Sequence, residues 1–217
     1  MTSGNYKEEF IMAIKSQTDL NTAYGTFKIS YHSDGKDMCV SLMMGDVTQG
    51  DVRLRIHSSC LFGEAFEAED CDCRQQLHKA MEEIAKENKG VIIYLYQEGR
   101  GMGLENKIES INLEHVEHMD TVEAYKALGY PLDNRDYSVA IQALRDLQVS
   151  NRIILMCNNP RKCDSLEKNG FEVIEHYELS YSVTEEARRY LSCKKKKLGH
   201  AINFTKISIN KAEFNES

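Results

Sequence analysis

Three cysteines stand in the stretch C60-LFGEAFEAED-C71-D-C73, with ten residues between the first two and one between the last two. Cys71 and Cys73 can grip a single ion from a turn, and Cys60, arriving from a preceding strand end, completes a soft three-ligand set suited to Zn²⁺. Three protein ligands leave the fourth tetrahedral position open, as a catalytic zinc requires. The bland alternative is that these thiols are small core hydrophobes. Glu69, Asp70, Asp72 and Arg74 around the pair would make a poor core, so the metal reading is the stronger. The chain has seven cysteines, an odd number, and a C-x-C pair is too tight for a disulfide framework, so reduced thiols are expected. Cys39, Cys163 and Cys193 form no pattern.

A second group of residues is suited to holding phosphate. The run Q97-E98-G99-R100-G101-M102-G103-L104 follows an apolar strand-like segment and opens a helix, where backbone N–H groups and the helix dipole can face an anion. A glycine run alone is weak evidence, and Arg100 in its middle strengthens it. Arg55 and His57 on the run into Cys60, Arg135 in D133-N-R-D136, and Arg161 and Lys162 after Asn158-Asn159-Pro160 supply further charge. Each alone reads as a surface cation. Their recurrence at strand-to-helix junctions gathers them at one edge of an α/β sheet.

Composition sets the bounds. A chain of 217 residues, 41% hydrophobic and 28% charged with only 2 Pro, can bury a sizeable core and reads as one globular unit. Its net charge of −7 argues against a general nucleic-acid binder, so any phosphate must be held by locally placed cations. No window offers the roughly 18 apolar residues of a membrane span, and the first residues carry acids where a secretion signal needs a basic and then apolar run. A cytoplasmic protein without membrane or nucleic-acid partners is the expectation.

The elements that must position these residues follow from periodicity. Phe10, Ile11 and Ile14 fall at helical spacing, which predicts a short amphipathic helix within the first 20 residues. Alternating runs at 25–32, 38–46 and 51–57, separated by Gly-containing turns, predict three antiparallel strands leading into the cysteines. Leu77, Ala80, Met81, Ile84 and Ala85 mark a helix ending near Asn88 and Gly90, followed by a buried strand at 91–96. Asp120 is the expected N-cap of a helix stopped at Gly129, another helix covers 139–147, a strand 152–156, a helix 164–168 and a strand 171–176. The fold class is therefore α/β: a single domain with a mixed sheet, N-terminal antiparallel strands joined to alternating strand and helix units, and a C-terminal tail from 194. The KKKK run opening that tail reads as a solvated patch that could also close over a phosphate.

Together the motifs T22-AYGTF, R55-IHSSC, CDCRQQL, YLYQEGRGMGL, DTVEA, LGYPLDNRDY, NNPRK and YLSCKKKKLGH resemble the GTP cyclohydrolase II family, in order along nearly the whole chain. The cysteine spacing and QEGRG-x-GL are the specific part. The resemblance implies zinc-dependent hydrolytic opening of the imidazole ring of GTP, with release of formate and pyrophosphate at the start of riboflavin synthesis. It implies one Zn²⁺ per chain on Cys60, Cys71 and Cys73, Mg²⁺ with the triphosphate, and a homodimer. Nucleotide contacts would fall at Arg55, Ile56, His57, Ser58, Ser59, Gln76, Glu98, Gly99, Arg100, Thr121, Cys157 and Lys162. Asp133 would accept a proton, and Arg135 would act on the α-phosphate. A guanidinium has no free lone pair at neutral pH, so a clamp on phosphoryl charge is the role that suits Arg135.

Three positions depart from the family pattern: Ser59 stands for a glutamate, Cys157 for a threonine and Ile111 for a tyrosine. They touch base recognition and proton handling, so a relative acting on another nucleotide, or stopping at the formylamino-pyrimidine product, is the alternative enzyme. A non-catalytic zinc and nucleotide binder is the remaining reading, and the retained Cys60, Cys71, Cys73, Asp133 and Arg135 speak against it.

Overall fold

The computed structural model describes residues 13–209, and its centre is a seven-stranded mixed sheet in the order β1-β2-β3-β5-β4-β6-β7. β1 (Ala13–Thr22), β2 (Gly25–Ser33) and β3 (Met38–Met44) form an antiparallel meander. The turn between β2 and β3 is pinned by Asp34, whose carboxylate accepts the backbone N–H groups of Lys36 and Asp37. β5 (Gly90–Leu95), GVIIYL, is apolar on both faces and needs neighbours on both edges. It takes β3 antiparallel on one side and β4 (Val52–Ser58) parallel on the other. β6 (Arg152–Leu155) and β7 (Glu172–His176) extend the parallel half.

Alternation along β4 sorts its side chains. Leu54 and Ile56 join Ile93, Leu95 and Leu155 in a core covered by α6 (Ser138–Asp146) and α7 (Pro160–Glu167). Arg55 and His57 point to the opposite face, where α2 (Cys73–Glu87) packs Ala80, Met81 and Ile84 on Ile92 and Met156. The other helices are α1 (Leu61–Ala65), the single turn α3 (Glu98–Gly101), α4 (Leu104–Val116), α5 (Thr121–Ala127) and α8 (Glu185–Leu198). A parallel pair, β8 (Tyr181–Val183) with β9 (Ile207–Ile209), packs with α8 around Val183, Leu191 and Ile202. Because β4, β5 and β6 are parallel, the segments leaving their carboxyl ends, at 59–60, 96–101 and 156–159, meet at one sheet edge. The cysteine stretch, the glycine run and the NNP turn are those three segments.

The α/β class, mixed sheet and single domain agree with the sequence reading, and several details do not. The expected N-terminal helix falls partly outside the described residues, and residues 13–20 belong to strand β1, paired antiparallel with β2 across a register shift at Lys15. β4 does not continue the meander beside β3, because β5 occupies that edge. The C-terminal tail is not loose from 194: residues 194–198 are the last turn of α8, and β9 follows. The helix expected at 164–168 begins at Pro160, which occupies the first turn while Asn159 caps it by accepting from the backbone N–H of Arg161. Among the described residues no helix is long and apolar enough to cross a membrane.

Candidate active site and metal centre

Cys60 ends the segment after β4, and Cys71 and Cys73 flank the start of α2, so three separate chain positions bring their sulfurs together within 4.8 Å of one another. Cys60 Sγ lies 3.7 Å from Cys71 Sγ. Sulfurs held tetrahedrally at about 2.3 Å from one zinc are about 3.8 Å apart, so the spacing fits that ion. It is far too long for a disulfide, and all three are free thiols. The cradle depends on Gly63 in α1: a Cβ there would lie 2.7 Å from Cys71 Sγ and 3.4 Å from Cys60 Sγ. Hydrogen bonds from the Cys71 and Cys73 thiols, with Lys107 nearby, pull the Cys60 thiol far down, and that thiolate pushes the other two up. A divalent ion would remove this conflict by taking all three as thiolates.

A cavity opens beside the sulfurs, lined by every residue expected to touch nucleotide except Ile56. Ile56 is wholly buried in the sheet core, and only its carbonyl faces the site, accepting from Lys162 Nζ at 2.7 Å. Arg55, His57 and Gln76 line the cavity yet are held inward: Arg55 Nε donates to His57 Nδ1 at 3.1 Å and NH1 to the Met156 carbonyl at 2.8 Å. His57 stacks on Tyr94, and burial drives its pKa down to about 4. Three cavity-lining residues carry a buried polar atom without a hydrogen-bond partner: Ser58 Oγ, Gln97 Oε1 and one Arg100 amino group. Such atoms mark where a polar ligand is expected.

The glycine run makes the turn that brings these groups in. Gly99 and Arg100 both adopt left-handed backbone, φ +58° and +57°. Glycine accepts this freely; arginine does so at a cost, and such strain concentrates at functional turns. Arg100 stacks over Tyr125. Glu98 accepts from Lys107 Nζ at 2.6 Å and from the Leu61 backbone N–H at 2.8 Å, and Lys107 also reaches Cys60 Sγ at 3.3 Å. Thr121 lines the cavity from the first turn of α5, whose cap is Asp120 as expected, and donates to Glu114 at 2.9 Å. Burial raises the Glu114 pKa.

Asp133 and Arg135 meet in a two-pronged pair, Nε to Oδ1 at 2.9 Å and NH2 to Oδ2 at 2.7 Å, with Arg161 also on Oδ1 at 3.0 Å. Burial works against the charge on Asp133, but the two guanidinium groups outweigh it and hold its carboxyl down to about 2. Arg135 lines the cavity and Asp133 stands behind it. Lys162 is buried in α7, and burial, with Arg135, Arg55 and Lys194 nearby, drops its pKa to about 7. Cys157 lines the wall beside Asn158 and Asn159, its sulfur accepting from the Asn159 backbone N–H at 3.3 Å.

The sequence reading missed α8. Tyr190, Leu191, Lys194, Leu198 and His200 all line the cavity, while Lys195, Lys196 and Lys197 are exposed. Burial pushes the His200 pKa down to about 3, reinforced by Lys194, Arg135, Lys162 and Arg100, so four cations gather around one point. The spacing of Tyr190, Lys194 and Leu198, four residues apart on one helix face, is the signal that could have singled Lys194 out of its run. In all, six Lys and Arg side chains line the cavity, Lys162 among them with its charge weakened by burial, against three carboxylates, Asp70, Glu98 and Glu114, in a chain whose net charge is −7. An anionic ligand is what such a lining selects.

A family model described as GTP cyclohydrolase II matches residues 13–178. The chain is 42% identical over 206 residues to the riboflavin biosynthesis protein RibBA of Bacillus subtilis (strain 168), covering 92% of this chain and 51% of that protein. It is 41% identical over 198 residues to RibBA of Bacillus cereus (strain ATCC 14579), covering 90% and 49%. The chain thus spans about half the length of these curated relatives. A solved structure titled RibBX, a two-domain 3,4-dihydroxy-2-butanone 4-phosphate synthase from A. baumannii, aligns at 19% identity with 69% of this chain and 35% of that one, at a TM-score of 0.38, too slight a likeness to argue from.

Proposed function

We propose, from the premise that the chain belongs to the GTP cyclohydrolase II family, that it opens the imidazole ring of GTP hydrolytically in the cavity beside Cys60, releasing formate and pyrophosphate in riboflavin synthesis. The observation that carries this reading is the set of three thiols at zinc spacing on the wall of a cation-lined cavity. Zinc held by Cys60, Cys71 and Cys73 would supply Lewis-acid polarisation and activation of water at neutral pH. The remaining work falls to the chain's own side chains. Arg100, Arg135, Lys162 and Lys194 form the pole suited to a triphosphate, with Mg²⁺ on its oxygens. Arg135, aimed by its fork to Asp133, is suited to stabilise charge developing at the α-phosphorus. In this arrangement Asp133 orients Arg135, and its two guanidinium partners make it a weak proton acceptor. Homodimer formation and a cytoplasmic location belong to the same proposal. The test is to incubate zinc-loaded protein with each nucleoside triphosphate and identify products by mass. Formate and pyrophosphate from GTP support the reading; a zinc-loaded protein that leaves every triphosphate intact refutes it.

A second reading is favoured by one observation, that Ile111 lines the cavity and brings no hydroxyl. Three nearby hydroxyls are not available to substitute: Tyr94 donates to Glu64 at 2.7 Å and Ser110 to the Lys107 carbonyl at 2.9 Å, while Tyr96 is exposed outside the lining; Ser58, whose hydroxyl lines the cavity without a partner, is available. Tyr190 on α8 and Ser58 are the candidate replacements. If neither serves, release of formate lags behind pyrophosphate and the formylamino-pyrimidine accumulates. Equal yields of formate and pyrophosphate from the first turnovers exclude this.

A further inference from the structure

A buried polar chain runs beneath the three cysteines. It begins at Asp72, the residue between Cys71 and Cys73, whose fully buried carboxylate accepts from Gln76 Nε2, from the Tyr181 hydroxyl at 2.7 Å and from Lys194 Nζ at 3.4 Å. Gln76 Nε2 also donates to the Tyr181 oxygen at 3.1 Å, and its Oε1 accepts from Arg55 NH2. Arg55 Nε can only donate, so His57 Nδ1 must accept, which leaves the histidine neutral with its proton on Nε2. That proton goes to Glu64 Oε1 at 2.9 Å. The same oxygen accepts the backbone N–H of Cys60 at 2.9 Å, and Glu64 Oε2 accepts from Tyr94. The chain starts between two of the cysteines and ends on the backbone of the third.

This pattern leaves little of it free for a substrate. Both nitrogens of His57 are used, as are the oxygen and both amide hydrogens of Gln76. A wholly buried carboxylate at one end, Asp72, and a mostly buried one at the other, Glu64, would be costly unless they did something there. Each end adjoins a cysteine: Asp72 is the residue between Cys71 and Cys73, and Glu64 accepts the Cys60 backbone N–H. We infer that Asp72 and Glu64 are positioning residues that fix the three sulfurs at metal-binding spacing through the Gln76, Arg55 and His57 relay. This rests on the reading of Cys60, Cys71 and Cys73 as the metal site. Outer partners of this kind commonly change metal affinity by about 10- to 100-fold.

The test is metal binding by apo-protein, scored without turnover. Zinc affinity is measured by competition with a chromophoric chelator, and Co²⁺ loading by its thiolate charge-transfer and ligand-field bands, for wild type, Asp72→Asn, Glu64→Gln and Tyr181→Phe. Circular dichroism reports folding. The expected result is one zinc in wild type, about 10-fold or more weaker binding in Asp72→Asn and Glu64→Gln, and shifted cobalt bands with an unchanged fold. If either of those replacements fails to fold, Tyr181→Phe decides, since it removes a single hydroxyl that donates to Asp72 and accepts from Gln76: shifted cobalt bands support the inference and bands identical to wild type overturn it. Folded Asp72→Asn and Glu64→Gln proteins with wild-type affinity and spectra overturn the inference while leaving the metal site standing. Wild type without metal affinity overturns both.

Discussion

Replacing Lys162 by methionine should make the protein more stable and less able to hold nucleotide. The ammonium is buried, and its fall from the ordinary 10.5 to about 7 corresponds to roughly 5 kcal/mol of unfavourable charge burial. Methionine fills similar space without charge, but it loses the hydrogen bond to the Ile56 carbonyl. An unsatisfied buried carbonyl costs about 1–3 kcal/mol, so the charge term wins and the net gain should be about 2–4 kcal/mol at pH 6. The sign with pH follows from proton counting. Between about 7 and 10.5 the unfolded chain holds a proton on this lysine that the folded protein lacks, so wild-type stability from this group rises with pH. The advantage of Lys162→Met is therefore full below pH 7, shrinks by about 1.4 kcal/mol per pH unit through that window, and reverses before its upper end, at roughly pH 8–10, where the lost hydrogen bond outweighs what is left of the charge term. Urea unfolding at pH 6, 8 and 10 measures this directly. A variant no more stable than wild type at pH 6, or a difference that stays constant to pH 10, refutes the reasoning.

The same lysine predicts that a triphosphate, by restoring its charge, takes up a proton on binding near pH 8; calorimetry in buffers of different ionisation enthalpy checks this, and binding without proton uptake contradicts it. Cys71→Ser should lose bound zinc and turnover together while keeping the fold, which metal analysis and circular dichroism read side by side. Arg135→Ala should slow pyrophosphate release by about 100-fold or more with zinc retained, and Arg135→Lys should recover little because a point charge lacks the planar fork. Glu98 is already engaged by Lys107 and the Leu61 amide and Glu114 by Thr121, so with serine at position 59 Asp70 is the one remaining acid of the lining that could meet a guanine edge. Wild type should then discriminate GTP from ATP weakly, and Ser59→Glu should improve the kcat/KM ratio by about tenfold or more; strong GTP preference unchanged by the substitution contradicts this.

What was legible in the sequence is what local pattern controls. The alternation of β4, the apolar run of β5 and the stripe of α2 each name an element, and the parallel β4-β5-β6 unit then brings the cysteines, the glycine run and the NNP turn to one edge. Pairing partners were not legible, because nothing local distinguishes β4 beside β3 from β4 beyond β5. Within the site, residue type pointed to the metal trio but not to the inward commitment of Arg55, His57 and Gln76, since a cation or amide at a strand end serves a ligand or a neighbour equally well. Asp72 read as one more acid on a polar turn; only the fold shows it wholly buried. Lys194 was hidden by the three exposed lysines that follow it.

The position of Asp72 also explains why the C-terminal elements belong to the site. Of its three side-chain partners, Gln76 lies within the segment that the family model matches, whereas Tyr181 and Lys194 lie beyond residue 178. A buried carboxylate left with that amide and the more distant Arg55 would carry a poorly compensated charge, which costs several kcal/mol. β8 and α8 bring the hydroxyl and the ammonium that make its burial tolerable, and the same helix presents Lys194 and Tyr190 to the cavity. Lys194 thus faces the carboxylate between two of the cysteines on one side and the cation-lined pole on the other. Its contact with Asp72 is 3.4 Å, and it compensates that buried charge only while it stays beside the carboxylate. The segment beyond residue 178 therefore does two jobs with one charge: it neutralises the support of the thiol cluster, and it closes the pole suited to the triphosphate.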